Sequence, residues 1–129
     1  MSKAKTAPSS NIIWFEIPAD EPKRAQTFYK KMFGWKINVM PGMTDYWHLD
    51  TGGDNASPDA GMLPRKHASQ PITNYFNVPS LTRAVAKLQK LGGTVCMGRT
   101  AVPQRGYFAI CRDTENNEFA LWENNLKAK

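Results

Sequence analysis

Residues 11 to 35 read NIIWFEIPADEPKRAQTFYKKMFGW and residues 72 to 95 read ITNYFNVPSLTRAVAKLQKLGGTV; setting one against the other decides the fold. In the first, NIIWFEI alternates with a period of two, Ile13, Phe15 and Ile17 on one face and Ile12, Trp14 and Glu16 on the other, which predicts a half-covered strand ended by Pro18. Asp20 then caps a helix over Glu21 to Phe33, whose apolar residues Ala25, Phe28, Tyr29 and Met32 recur at helical spacing, and Gly34 stops it. The second stretch repeats this order. Phe76, Val78 and Pro79 stand where Phe15, Ile17 and Pro18 stood, Ser80 takes the cap, Leu81, Ala84, Val85 and Leu88 repeat the helical spacing, and Gly92 and Gly93 end it.

Outward from these anchors, each half continues with three strands: Trp35 to Met40, Asp45 to Thr51 and Ala60 to Leu63 in the first, Thr94 to Met97, Tyr107 to Arg112 and Glu118 to Glu123 in the second. The expected class is α+β, built from two βαβββ modules. Residues 1–10 (MSKAKTAPSS) are polar and aperiodic and read as a disordered lead-in; residues 11–126 form the folded domain, with module one at 11–64, a linker at 65–71 and module two at 72–126.

Composition narrows the classes. A chain of 129 residues, 41% hydrophobic and 22% charged, is long enough for one real core. Its two cysteines, Cys96 and Cys111, with no apolar secretory segment, point to a reducing compartment and a cytoplasmic protein, and no apolar run approaches the ~20 residues that cross a bilayer. Both cysteines fall on expected strands and read as buried, inert thiols. The net charge of +6 raises nucleic acid or an anionic membrane as partners, but Lys3, Lys5, Lys127 and Lys129 sit in the tails and no basic run is interleaved with aromatics. A solvated basic surface, without nucleic acid or membrane, is the expectation.

Strand alternation sorts the residues into two faces. Phe15, Ile17, Phe76, Val78, Phe119 and Leu121 form the face that helices cover; Trp14, Glu16, Thr73, Tyr75, Asn77, Glu118, Ala120 and Trp122 form the other. Aromatics mixed with hydrogen-bonding groups suit a ligand site, with a dimer interface as the plainer alternative, and the two can coexist. Glu16, beside Trp14, is a candidate for proton transfer; its plainer reading is a carboxylate held by an arginine or by Asn77. His48, in DYWHLDT, is a candidate ligand contact or general base, or else a strand histidine satisfied by a neighbour. His67, in the linker PRKHASQP, reads as solvated, and Arg105, in the loop VPQRG, as a gate for an anion.

FEIPADEPKRAQTFYKKMFGW, ITNYFNVPS followed by AVAKLQKLGGTV, and GYFAICRDTENNEFALWEN together resemble the glyoxalase, bleomycin-resistance and extradiol-dioxygenase superfamily, the vicinal oxygen chelate proteins. The likeness runs from Asn11 to Asn124, with Thr114 and Asn116 in the closing turn replacing the proline and glycine usual there. The resemblance implies a cup-shaped mixed sheet with helices on its outer face, commonly within a homodimer, and any site inside the cup. It also implies a metal site supplied by His and Glu at positions that here fall on Ile12, Thr73, Ala120 and the stretch Ala60, Gly61 and Met62. No metal and no other cofactor is therefore expected.

The functional expectation is a metal-independent member of that superfamily binding a small organic molecule, resembling the bleomycin-resistance proteins, with Trp14, Glu16, His48, Thr73, Tyr75, Asn77, Arg105 and Trp122 as ligand contacts. The alternatives are a glyoxalase-type lyase or isomerase, or a dioxygenase-like enzyme, with Glu16 or His48 as catalytic candidates, and a structural dimer without a ligand.

Overall fold

The computed structural model describes residues 10–54 and 57–129, so the lead-in expected to be disordered lies, apart from Ser10, outside the described residues. Its elements are β1 (Ile12–Ala19), α1 (Pro22–Phe33), β2 (Lys36–Val39), β3 (Trp47–Asp50), β4 (Asp59–Pro64), β5 (Thr73–Asn77), α2 (Leu81–Lys90), β6 (Thr94–Val102), β7 (Gly106–Arg112) and β8 (Glu118–Asn124). Strand, helix and three strands, twice over, is the α+β arrangement read from the repeat. By contact the chain forms two compact units, Ile13–Asn74 and Tyr75–Lys129, the stretch ending at Ile12 going with the latter.

In Ile13–Asn74 the strands lie in the order β2-β3-β4-β1; β2 and β4 each pair antiparallel with β3, and β1 pairs parallel with β4. A parallel pair needs a crossover, and α1 opens it. Ile17, Ala19, Leu49, Ala60 and Met62 make the core on one face, packed by Phe15, Trp35, Ile37 and Trp47 and by Ala25 and Tyr29 of the helix. Leu49 and Met62 are fully buried, each contributing ~1.5–3 kcal/mol by leaving water. Two expectations for α1 need correction. Its N-cap is Glu21, with no side-chain cap bond, and Asp20 instead accepts from Arg65 Nε at 2.9 Å. The inward face runs through Pro22, Gln26 and Tyr29, leaving Phe28 and Met32 59% and 61% exposed. Adjacent helical residues are rotated by about 100°, so the stacking of Tyr29 on Trp35, 5.1 Å between ring centroids, turns the apolar stripe partly out to solvent. Gly34 stops the helix as expected, in the left-handed conformation at φ 73°.

In the other unit the order is β5-β8-β7-β6, with β5 and β8 parallel and the remaining pairs antiparallel. Val78, Leu81, Ala109, Cys111 and Leu121 form its core, with Phe76, Phe119 and the α2 residues Ala84, Val85 and Leu88 packed on it. Ser80 caps α2 as expected, its hydroxyl accepting from the Arg83 amide at 3.2 Å, and the Leu81 amide donates to Glu123 Oε1 at 2.8 Å. A carboxylate thus satisfies a donor that every helix N-terminus leaves over. β6 outruns its expected end at Met97 and carries register shifts between Val95 and Met97 and between Met97 and Thr100. The first shift makes Cys96 an extra residue in the ladder, and Cys96 is exposed while Cys111 is buried, correcting the expectation that both are buried. In the turn before β8, Asn116 takes φ 66°, the backbone shape that lets Asn replace a glycine there. Among the described residues no helix is long and apolar enough to cross a membrane.

Candidate functional site

The face of Ile13–Asn74 opposite its core is set by strand parity and register. Trp14 pairs with Asp59 and Glu16 with Gly61 across β1 and β4, while His48 of β3 pairs with Gly61 from the other side. Glu16, Gly61 and His48 therefore form one lateral row, and Trp14 and Asp59 the next. Gly61 leaves a gap in the first row. A Cβ built there meets the hydroxyl and ring of Tyr46, the residue just before β3, so the missing side chain is what lets Tyr46 cross β4 toward β1.

The crossing closes a chain of hydrogen bonds. Trp14 Nε1 donates to the Tyr46 hydroxyl at 3.0 Å, and that hydroxyl donates to Glu16 Oε2 at 2.7 Å. The direction is forced, because an indole nitrogen only donates and the phenol has one proton to give. Glu16 thus accepts from Tyr46, a partner the sequence reading did not name. A second chain runs alongside it. His48 Nε2 meets Asp59 Oδ2 at 2.9 Å, and the Thr51 amide and hydroxyl meet Asp59 Oδ1 at 3.0 Å and 3.2 Å. Burial pushes the Asp59 pKa up, but the bonds from Thr51 and His48 and the attraction of His48 outweigh it, and the pKa lies below its ordinary value. An ionised Asp59 accepts at both oxygens, which makes His48 Nε2 the donor of that bond. The two chains touch where the Trp14 and His48 rings lie 5.4 Å apart between centroids.

Tyr75–Lys129 carries its own aromatic face. Asn77, Trp122 and Phe108 form one lateral row, Tyr75, Ala120 and Ile110 the next. The rings of Tyr75 and Phe108 are 6.2 Å apart, and Trp122 Nε1 donates to Asn124 Oδ1 at 2.7 Å. Arg105 lies in the β6–β7 turn, where its backbone bonds Val102 and Asn125. Thr73, buried at the start of β5, reaches the Pro71 carbonyl at 3.4 Å, and Glu118 starts β8. His67 is exposed beside Ser69. Two shallow cavities lie off these faces, about 540 Å³ against Pro103, Gln104 and Leu126 to Lys129, and about 180 Å³ against Leu81, Thr82, Val85, Gly98 and Arg99. Neither is lined by an acidic side chain or an imidazole.

Of the residues singled out from sequence, Trp14, Glu16 and His48 come together in one unit, and Tyr75, Asn77 and Trp122 share the face of the other. Tyr46, Asp59, Gly61 and Phe108 were missed. Signals for two of them were present: Tyr46 has the parity of His48 within DYWHLDT, and a glycine inside a strand marks close approach by another group.

A divalent cation of the kind the superfamily resemblance implies does not fit these residues. Ala60, Met62 and Ala120 are fully buried and apolar, Ile12 offers no donor, and Glu16, His48 and Asp59 are engaged with Tyr46, with Asp59 and with Thr51. Among the described residues no three His, Cys, Asp or Glu side chains converge to hold an ion.

Comparison with known proteins agrees with the architecture. The sequence profile of the Bleomycin resistance protein-like N-terminal family matches residues 11–52. A glyoxylase-like domain-containing protein of Didymella fabae is 28% identical over 120 residues, covering 85% of this chain and 91% of its own length. Among solved structures, a hypothetical protein from Bacillus halodurans superposes with a TM-score of 0.69 at 12% identity, over 95% of this chain and 99% of that one. A glyoxalase/bleomycin resistance protein/dioxygenase superfamily member from Vibrio splendidus gives 0.65 at 8% identity, over 91% and 100%. The chain is similar to proteins of the glyoxalase/bleomycin-resistance/dioxygenase superfamily, the vicinal oxygen chelate proteins.

Proposed function

We propose that this chain is a metal-independent member of that superfamily that binds a small organic molecule against Trp14, Tyr46 and His48, with Glu16 and Asp59 as the fixed polar groups. The observation that carries the reading is the chain from Trp14 through Tyr46 to Glu16, laid across a strand that keeps a glycine beneath it. Such an arrangement holds aromatic and polar groups rigidly on a face that the core does not use, which is how ligand sites are built. Metal independence is supported by the apolar residues at the expected ligand positions. A thermal-shift screen against metabolites and aromatic drugs tests the proposal: a ligand well above its Kd raises stability by a few kcal/mol through mass action. W14A should remove the shift. A hit indifferent to W14A and to Y46F sinks the assignment.

The His48–Asp59 pair supports a second reading, a glyoxalase-type lyase or isomerase in which a carboxylate-oriented imidazole acts as base. Turnover of a hemithioacetal that H48N abolishes would favour it over simple binding. The proposal extends to a homodimer in the cytoplasm, checked by sedimentation and by fractionation.

A further inference from the structure

Helix α1 carries an apolar surface that the packing of its own unit does not use. Gln26 and Tyr29 turn toward the core, while Phe28, Met32 and Phe33 remain 59%, 61% and 56% exposed. Phe28 and Met32 stand one turn apart and form a stripe along the helix. The Phe28 and Phe33 rings both lie against Tyr29, at 5.2 Å and 6.2 Å between centroids, so the exposed carbons make one patch. Successive residues turn by about 100°, which brings Lys23, Lys30 and Lys31 onto the exposed surface beside that stripe. The helix contains no Asp or Glu, and among the described residues none of the three lysines has an acidic partner, whereas Arg24 is paired with Glu21 at 2.9 Å. The helix dipole favours Lys30 and Lys31 in the last turn. It disfavours Lys23 in the first, and it gives no reason for the exposed rings.

We propose that this face of α1 docks on an anionic lipid surface, Phe28, Met32 and Phe33 entering the interface while Lys23, Lys30 and Lys31 meet acidic headgroups. Rings and a thioether beside lysines are the composition of a helix that lies in the plane of a membrane interface. Charge selects this occupant over a second copy of the chain, because two such faces would set lysines against lysines. Area does so as well: the three apolar side chains offer roughly 300 Å², where a stable protein interface takes about 800 Å² from each partner. A helix laid on a sheet is a convex ridge, and a fluid headgroup layer closes around a ridge without a matching groove. Single-stranded nucleic acid has the right sign of charge, but it stacks its bases on open ring faces, and here Tyr29 and Trp35 are stacked on each other with their planes 7° apart. Composition pointed to a solvated basic surface; winding residues 22–33 into one helix is what sets the lysines beside the apolar stripe. Docking by α1 leaves the Trp14 face open, since that face lies on the other side of the strands that the helix covers.

Co-sedimentation of the full chain with vesicles tests the proposal. Phosphatidylcholine containing about 30 mol% phosphatidylserine should retain the protein at about 1 mM lipid, the range of a weak, reversible anchor, and phosphatidylcholine alone should retain far less. Raising salt from about 0.1 M to 0.5 M should release it. F28A/M32A, at two exposed positions, should weaken binding at least about tenfold with the circular dichroism spectrum unchanged. K30Q/K31Q should weaken it about 25-fold, at about fivefold per charge. Two controls on α2 fix the location: K87Q/K90Q makes the same change in net charge, L91A removes a side chain that is 67% exposed, and both should bind within about twofold of the native chain. No retention by the phosphatidylserine vesicles overturns the proposal, as does retention indifferent to F28A/M32A. Equal losses in K87Q/K90Q and K30Q/K31Q, or in L91A and F28A/M32A, overturn it too, since the chain then meets lipid elsewhere or through net charge alone. A lipid-free dimer that F28A/M32A splits in sedimentation velocity assigns the face to a second copy. A single-stranded oligonucleotide that displaces the protein from vesicles, and whose own binding falls in F28A/M32A, assigns it to nucleic acid. Either of these results also overturns the proposal.

Discussion

Gly61→Ala tests whether Tyr46 crosses β4 as described. A Cβ at position 61 meets the Tyr46 hydroxyl, Cζ and Cε1 too closely for the ring to stay where it is. Moving the ring breaks its bonds to Trp14 Nε1 and Glu16 Oε2, one neutral and one charge-assisted, a loss of about 1–3 kcal/mol at a half-buried position after water replaces part of them. Against this, alanine restricts the unfolded chain more than glycine and contributes about 0.4–1 kcal/mol where the backbone tolerates it, and β4 requires no positive φ at Gly61. The net is a destabilisation of about 1–2 kcal/mol, a fall in Tm of several degrees for a domain of this size. Urea denaturation measures it, and near-ultraviolet circular dichroism follows the Trp14 environment. The sharper measurement is the same substitution made in Y46A. With the ring gone the clash is gone, and G61A should become neutral or stabilising by a few tenths of a kcal/mol, so the sign changes between backgrounds. Equal destabilisation in both would show that the glycine serves the backbone and not the tyrosine, and the geometry of the site would have to be abandoned.

Asp59 predicts a pH dependence. Its folded pKa lies below the ordinary 3.8, so the stability it contributes is complete above the unfolded value and is lost as pH falls through the folded one; the gap in stability between the native chain and D59N should close on acidification below about pH 4, and a gap that widens there contradicts the bonds from Thr51 and His48. The two cysteines should differ in reactivity. Burial raises the Cys111 pKa to about 11, with a smaller push from Cys96, which is itself exposed. Iodoacetamide at mildly alkaline pH should therefore give one adduct on the folded chain and two in urea, counted by mass spectrometry; rapid double labelling of the folded protein would refute the burial of Cys111.

How far the sequence could be read depended on whether a feature is local. Gly34 and Ser80 act within one turn of their helices, so their roles at the ends of α1 and α2 were visible without any tertiary information. Asp20 looked like a cap by the same logic, yet a residue 45 positions away competes for it, since Arg65 Nε takes its carboxylate. Phe28 and Met32 mark the limit of periodicity: spacing tells how apolar residues cluster around a helix, while the packing of Tyr29 on Trp35 chooses the angle at which the helix settles. The parity that put Trp14 and Glu16 on the open face depends on one strand alone and survived. The partners of those residues depend on which strands become neighbours. Tyr46 finds Glu16 only because β3, β4 and β1 lie side by side, and Asp59 finds His48 only because of the β3–β4 register.

The amino-acid order by itself determined the doubled strand-helix-strand pattern, the faces of single strands and the residues standing at the expected metal positions, because each follows from backbone sterics, capping or side-chain chemistry within a few residues. Tertiary structure alone decided that Glu16 accepts from Tyr46 and that His48 meets Asp59, and that a glycine opens the path for a tyrosine. Hydrogen bonds between strands depend on register, and register is settled by the packing of the whole sheet.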